Sequence, residues 1–131
     1  MKDLEDLAHS VCQKLELKYD AESVKYLEGF IERTKDQIPK EQWQGLINSC
    51  AAFLGQCIIE NYGGQWERVE NEYIAISFDE QNKAFPFAKV NKQFEHGLED
   101  SVYAFFTAIP QIMDIPAKKK KVVADLVSVY P

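Results

Sequence analysis

The side chains able to do acid–base, nucleophilic or metal chemistry are few and scattered. His9 and His96 are the chain's two imidazoles, and imidazole is the usual general base or metal ligand near neutral pH. Neither stands in an HxH or HExxH spacing, and the cysteines form no CxxC pair. His9 falls off the apolar stripe of its predicted helix. His96 precedes Gly97, where an imidazolium suits the negative end of a helix dipole. Both read as surface or capping residues, and a Cys–His dyad would have to be assembled by the fold. Ser10, Ser23, Ser49, Ser77, Ser101 and Ser128 lie in no GxSxG-like context. Gly63-Gly64 is too short for a phosphate-cradling loop and reads as a helix cap and turn. No cofactor and no metal is expected.

Cys12, Cys50 and Cys57 suit a reducing compartment. Cys50 and Cys57 are seven positions apart on one predicted helix, about 10 Å along its axis, too far for a disulfide. All three read as small core hydrophobes.

The carboxylates Glu67, Glu70, Glu72, Asp79, Glu80, Glu95, Glu99 and Asp100 cluster in sequence but match no EF-hand spacing. They read as solvated turn and strand faces, with an acidic binding surface as the functional alternative. Lys89 and Lys92 share one side of a helix. They are either wet-face lysines or a contact for an anion or partner beside Phe85-Pro86-Phe87. Lys118 to Lys121 read as a solubilising hinge. Trp66, Tyr73, Phe78, Phe85 and Phe87 crowd one stretch. Core packing is their ordinary role, but Trp66 and Tyr73 would be interface anchors if one sheet face is open.

Composition bounds the classes these residues can serve. A chain of 131 residues with 46% apolar and 27% charged residues is one ordinary globular domain. No apolar run approaches the ~20 residues of a bilayer span, and MKDLEDLAHSV lacks the basic start and apolar core of a signal peptide. A cytoplasmic protein is expected. A net charge of −6 disfavours nucleic acid and anionic membrane and favours, if anything, a basic protein partner.

The elements that must position these side chains follow from periodicity. Leu4, Leu7, Ala8, Val11 and Leu15 line one face of a helix over 3–17. Asp20 caps a second, over 21–36, with Val24, Leu27 and Ile31 inward and Glu28, Glu32, Lys25 and Lys35 on its wet side. A broad stripe from Trp43 through Ile58 to Asn61 predicts a central helix over 40–62, in which Gly45 and Gly55 permit close approach of other elements. Gly63-Gly64 form its left-handed cap.

From Gln65 the period changes to two. Trp66 to Val69, Tyr73 to Phe78 and a short Ala84-Phe85-Pro86 run predict a three-stranded antiparallel meander over 65–86, turned at Glu70-Asn71-Glu72 and covered by helices on one face. Helices follow over 87–131. Phe87, Val90 and Phe94 line one that Gly97 closes. Asp100 or Glu99 opens the next, with Val102, Phe105, Phe106 and Ile109 inward and Pro110 breaking it. The tail from Lys118 to Tyr130 is ambiguous between helix and strand. The expected fold class is α+β, several helices packed on a small antiparallel sheet in one domain.

Leu54-Gly55-Gln56, Tyr62-Gly63-Gly64-Gln65-Trp66, Phe85-Pro86-Phe87 with Lys89 and Lys92, Gly97, and Asp100-Ser101 before Phe105-Phe106 form a set. It resembles a group of small bacterial domains of unknown function, over roughly residues 46–106. Gln56 stands where that group carries an acidic residue. The resemblance implies an α+β fold and brings no established activity.

The function expected from these readings is a non-enzymatic protein-binding module, immunity-like or an adaptor. Trp66, Tyr73, Glu70, Glu72, Lys89 and Lys92 are its partner-binding candidates. The alternatives are an enzyme or small-ligand binder with a pocket between the central helix and the hairpin, and self-association through the hairpin edge.

Overall fold

A computed structural model describes residues 1–114, so the expectations for the tail lie outside the described residues. The fold is α+β. Five α-helices, α1 (Lys2–Leu15), α2 (Ala21–Thr34), α3 (Trp43–Tyr62), α4 (Pro86–His96) and α5 (Val102–Ile112), accompany three strands, β1 (Gln65–Val69), β2 (Tyr73–Ser77) and β3 (Lys83–Ala84). The strands form one antiparallel meander in the order β1-β2-β3.

α3 is the centre. Cys50 through Gly55, with Ile47, Cys57 and Ile58, are buried, so the middle of this helix is covered on nearly all sides, while Gln44, Gly45 and Glu60 near its ends are exposed. α1 packs on it through Leu4, Ala8 and Val11, and α2 through Val24, Leu27 and Ile31. Asp20 caps α2 as its side chain accepts from the Ser23 N–H at 2.8 Å. At the other end of α3, Asn61 Nδ2 donates to the Tyr19 and Cys57 carbonyls at 2.9 and 2.8 Å, tying the α1–α2 connection to the central helix. Gly63 and Gly64 then turn the chain with φ of +88° and +89°. Gly63 has ψ −161°, so it leaves the helix in an extended, glycine-favouring conformation rather than the expected left-handed helical one.

Antiparallel register sets Trp66 opposite Ile76 and Ile76 opposite Ala84. Directly opposite residues share a sheet face, and this row, with Ile74 two residues earlier on β2, belongs to the face turned to the helices. Glu67, Tyr73, Ser77 and Lys83 fall on the other face.

Four local expectations are corrected. The third strand is Lys83–Ala84, and Pro86 opens α4 instead of ending a strand, since its fixed φ and missing N–H suit a first helical turn. α5 is opened by Ser101, whose side chain accepts from the Ala104 N–H at 3.0 Å, while Gly97–Asp100 make a short 3-10 turn before it. Pro110 sits inside α5 instead of breaking it. One missing hydrogen bond is tolerated there because Val102, Phe106 and Ile109 bury the helix's inner face and the Met113 N–H still reaches the Ile109 carbonyl at 2.9 Å. Finally, Glu28 and Glu32 are not simply wet-face residues: Glu28 is 8% exposed, Glu32 is half-buried, and both belong to the polar network described below.

No described helix is long and apolar enough to cross a membrane.

Candidate interaction surface

The structure divides the six sequence-predicted contact residues among three places. Trp66 is half-buried and structural. Its ring fills the space a side chain at Gly55 would need, meets the Phe87 ring at 6.5 Å between centroids, and donates its indole N–H to Gln56 Oε1 at 3.2 Å. Trp66 therefore has the packing role read as ordinary for it, and not the anchor role that an open sheet face would have given it. The meander offers its inner face to α3, so the aromatic at β1 packs against the helix instead of reaching solvent. The space between the central helix and the hairpin is occupied by this indole.

Glu70, Glu72 and Tyr73 are brought together at the hairpin tip. Glu70 and Asn71 have φ of +54° and +56°, and the Glu72 N–H closes the turn on the Val69 carbonyl at 3.1 Å. Two positive-φ central residues are the pattern of a type I′ turn, whose twist matches the flanking strands. Asn is at home in that position and Glu is not. Tyr73 begins β2 opposite Val69 and is 52% exposed. The tip is thus a turn that exposes two carboxylates, Glu70 and Glu72, followed directly by an exposed phenol ring.

Lys89 and Lys92 lie elsewhere, in a recess of about 260 Å³ with Lys83, Phe85, Phe105 and Met113. Lys92 is exposed. Lys89 is not a wet-face lysine: its ammonium sits 3.4 Å from Asp100 Oδ1 and 5.8 Å from the centre of the Phe105 ring. Asp100 is shared with His96, whose Nδ1 is 2.8 Å from its Oδ2. The His96 contact, and after it Lys89, hold the Asp100 carboxyl below its ordinary value.

The outer sheet face carries a shallow recess of about 530 Å³ floored by Glu67, Ser77 and Lys83. Lys83 donates to both Glu67 oxygens at 3.1 Å and to Ser77 Oγ at 3.3 Å. These contacts lower the Glu67 carboxyl from its ordinary value, the Lys83 hydrogen bond most. Asp79 is lowered likewise, first by the Asn82 side chain and then by the backbone N–H groups of Gln81 and Asn82. The loop from 79 to 82 is a self-satisfied Asx-type turn.

Sequence reasoning missed a buried polar seam joining α2, α4 and α5. Gln93, fully buried, donates to the Glu28 carbonyl at 3.1 Å and to Glu32 Oε2 at 3.0 Å, and accepts from the Val102 N–H at 2.9 Å. Ser101 Oγ donates to Glu28 Oε2 at 2.6 Å. Lys25 and Lys35 pair with Glu28 and Glu32 at 3.4 and 3.1 Å. No buried side-chain polar atom among the described residues lacks a partner, and the seam ties α2, α4 and α5 together as a structural clamp. A possible signal was Ser101 three residues before Ala104, the spacing of an N-cap, which would have placed its hydroxyl at the helix start.

The cysteines behave as core atoms. Burial pushes the Cys50 thiol up to about 12 and raises Cys57 further. The Tyr19 hydroxyl is raised by its burial and then by a hydrogen bond with Cys12.

Comparison with protein-family models, with curated proteins and with solved structures found no match.

Proposed function

We propose that this chain is a non-enzymatic, cytoplasmic protein-binding module that recognises a basic partner through the tip of its hairpin, in an immunity-like or adaptor role. The observation that carries the reading is Tyr73, 52% exposed at the start of β2, directly after the turn that exposes Glu70 and Glu72. An exposed phenol ring beside carboxylates can take a lysine or arginine by ring stacking and ion pairing together. Glu70 supports the reading a second way. It occupies a positive-φ position that asparagine or glycine would hold with less strain, so the turn keeps a carboxylate at a cost in stability. The −6 charge of the chain would steer a cationic partner toward it.

The alternative reading, a ligand pocket between α3 and the hairpin, is not favoured, because the Trp66 ring fills that contact. The test is affinity capture from native lysate with the wild-type chain, with Tyr73→Ala and with Glu70→Lys/Glu72→Lys, at low and high salt. The expected result is a basic protein retained by the wild type and lost from both variants and at high salt. Capture unchanged by both variants would overturn the reading.

A further inference from the structure

We infer that the recess where α4 meets β3 and α5 is a binding site for a small aromatic monocarboxylate. Its volume is about 260 Å³. Sites for drug-sized molecules begin at about 300 Å³, so this one suits a ligand of one or two fused rings. Every charged residue that lines it is a lysine: Lys83, Lys89 and Lys92. The whole chain holds 21 acidic and 15 basic residues, so the recess reverses the balance of the molecule around it.

The three lysines have different work. Lys83 keeps its ammonium on both Glu67 oxygens at 3.1 Å and on Ser77 Oγ at 3.3 Å. What it offers the recess is its aliphatic stem. Lys89 and Lys92 lie three apart on α4, with about 5–6 Å between their Cβ atoms, close enough for one carboxylate to meet both ammoniums. Lys89 reaches Asp100 at 3.4 Å, whereas His96 holds the other oxygen of that carboxylate at 2.8 Å. An ammonium has three donors, so this long contact leaves Lys89 able to bind a second carboxylate. Lys92 is exposed and has no carboxylate partner among the described residues. Lys89 and Lys92 set against Asp100 leave one positive charge, which is matched by a ligand with one negative charge.

The apolar lining selects the body of the ligand. Phe85 is 39% exposed, the Phe105 ring is half-buried, and buried Met113 adds an adaptable thioether. The Lys89 ammonium lies 5.8 Å from the centre of the Phe105 ring. A carboxylate held by Lys89 therefore brings its own ring beside Phe105, where offset or edge contacts between aromatic rings are favourable. This inference is independent of the hairpin reading. It concerns other residues and a ligand of the opposite charge.

The test titrates the full, isotopically labelled chain with 1-naphthoate, with the neutral isostere naphthalene-1-carboxamide and with acetate, following amide shifts by nuclear magnetic resonance. Saturable shifts with 1-naphthoate are expected at residues 84–92 and at Phe105. The carboxamide should bind about five-fold more weakly, the worth of one solvent-screened ion pair. Acetate, which has the charge without the ring, should give no saturable shift. Lys92→Gln should weaken 1-naphthoate by about five-fold as well, and an exposed lysine can be changed without loss of the fold. Four outcomes overturn the inference: no saturable shift in these segments, equal binding of the carboxamide, saturable binding of acetate, or unchanged affinity in Lys92→Gln.

Discussion

The Trp66 indole occupies the space that any side chain at Gly55 would need, and it anchors there by a hydrogen bond to Gln56, one residue further along the same helix. A single ring thus fixes the height of the hairpin on α3. Gly55→Ala is expected to destabilise by about 1–3 kcal/mol, the cost of overpacking a filled contact. Trp66→Ala is expected to cost about 3–5 kcal/mol. In Gly55→Ala/Trp66→Ala the two effects should be strongly less than additive, because removing the ring makes room for the methyl group. Urea denaturation of the four proteins measures this, and additive effects would mean that the two positions are not in contact.

The seam through Gln93 predicts a large loss from a small change. Gln93→Leu keeps the volume but leaves the Val102 N–H and the Glu28 carbonyl buried without their partner, at a cost of about 2–4 kcal/mol. Glu95→Leu, on the exposed side of the same helix, should fall within about 0.5 kcal/mol of wild type. Thermal unfolding followed by circular dichroism compares them, and equal midpoints would remove the clamp from the account.

Acid sensitivity follows from Asp100, Glu67 and Asp79, whose carboxyls are all held below their ordinary values in the fold. Each contributes its stability fully above the ordinary carboxylate value and loses it as pH falls through the lower, folded value. Unfolding midpoints should therefore drop as the pH is lowered below about 4. Asp100→Asn should flatten part of that drop while lowering stability at neutral pH. A midpoint with the same acid slope in this variant would show that Asp100 carries none of it.

Thiol reactivity should separate the cysteines by burial. Cys50 and Cys57 are buried and Cys12 is partly exposed. Only the thiolate reacts, and burial disfavours it, so a thiol reagent should modify Cys12 first in the native protein. Cys50 and Cys57 should react only as the chain unfolds. Mass spectrometry of partially labelled protein decides it.

The turn at Glu70 makes a prediction of opposite signs. Glu70→Asn should raise stability by up to about 1 kcal/mol, because asparagine accepts positive φ more readily. The same change should weaken capture of a basic partner. Loss of stability in this variant would contradict the turn geometry.

Sequence alone determined the elements whose signal is local. The stripe along α3, the switch of period after the glycine pair, the Asp20 cap and the Gly97 stop each follow from backbone preference or side-chain spacing within one segment. The α+β class and the meander followed from those. Tertiary structure decided what depends on which element covers which. Glu28 and Glu32 look like wet-face carboxylates on their own helix, but Glu28 is buried and Glu32 half-buried because Gln93 and Ser101, more than 60 residues away, approach that face. Trp66 became a packing residue because Gly55, eleven residues earlier, has no side chain to keep it out. Pro110 stayed within α5 because core burial outweighed one lost hydrogen bond. Periodicity reports which side of a segment is apolar; it carries no information about which partner a polar side chain will meet. That is settled only when distant parts of the chain are brought within hydrogen-bonding distance.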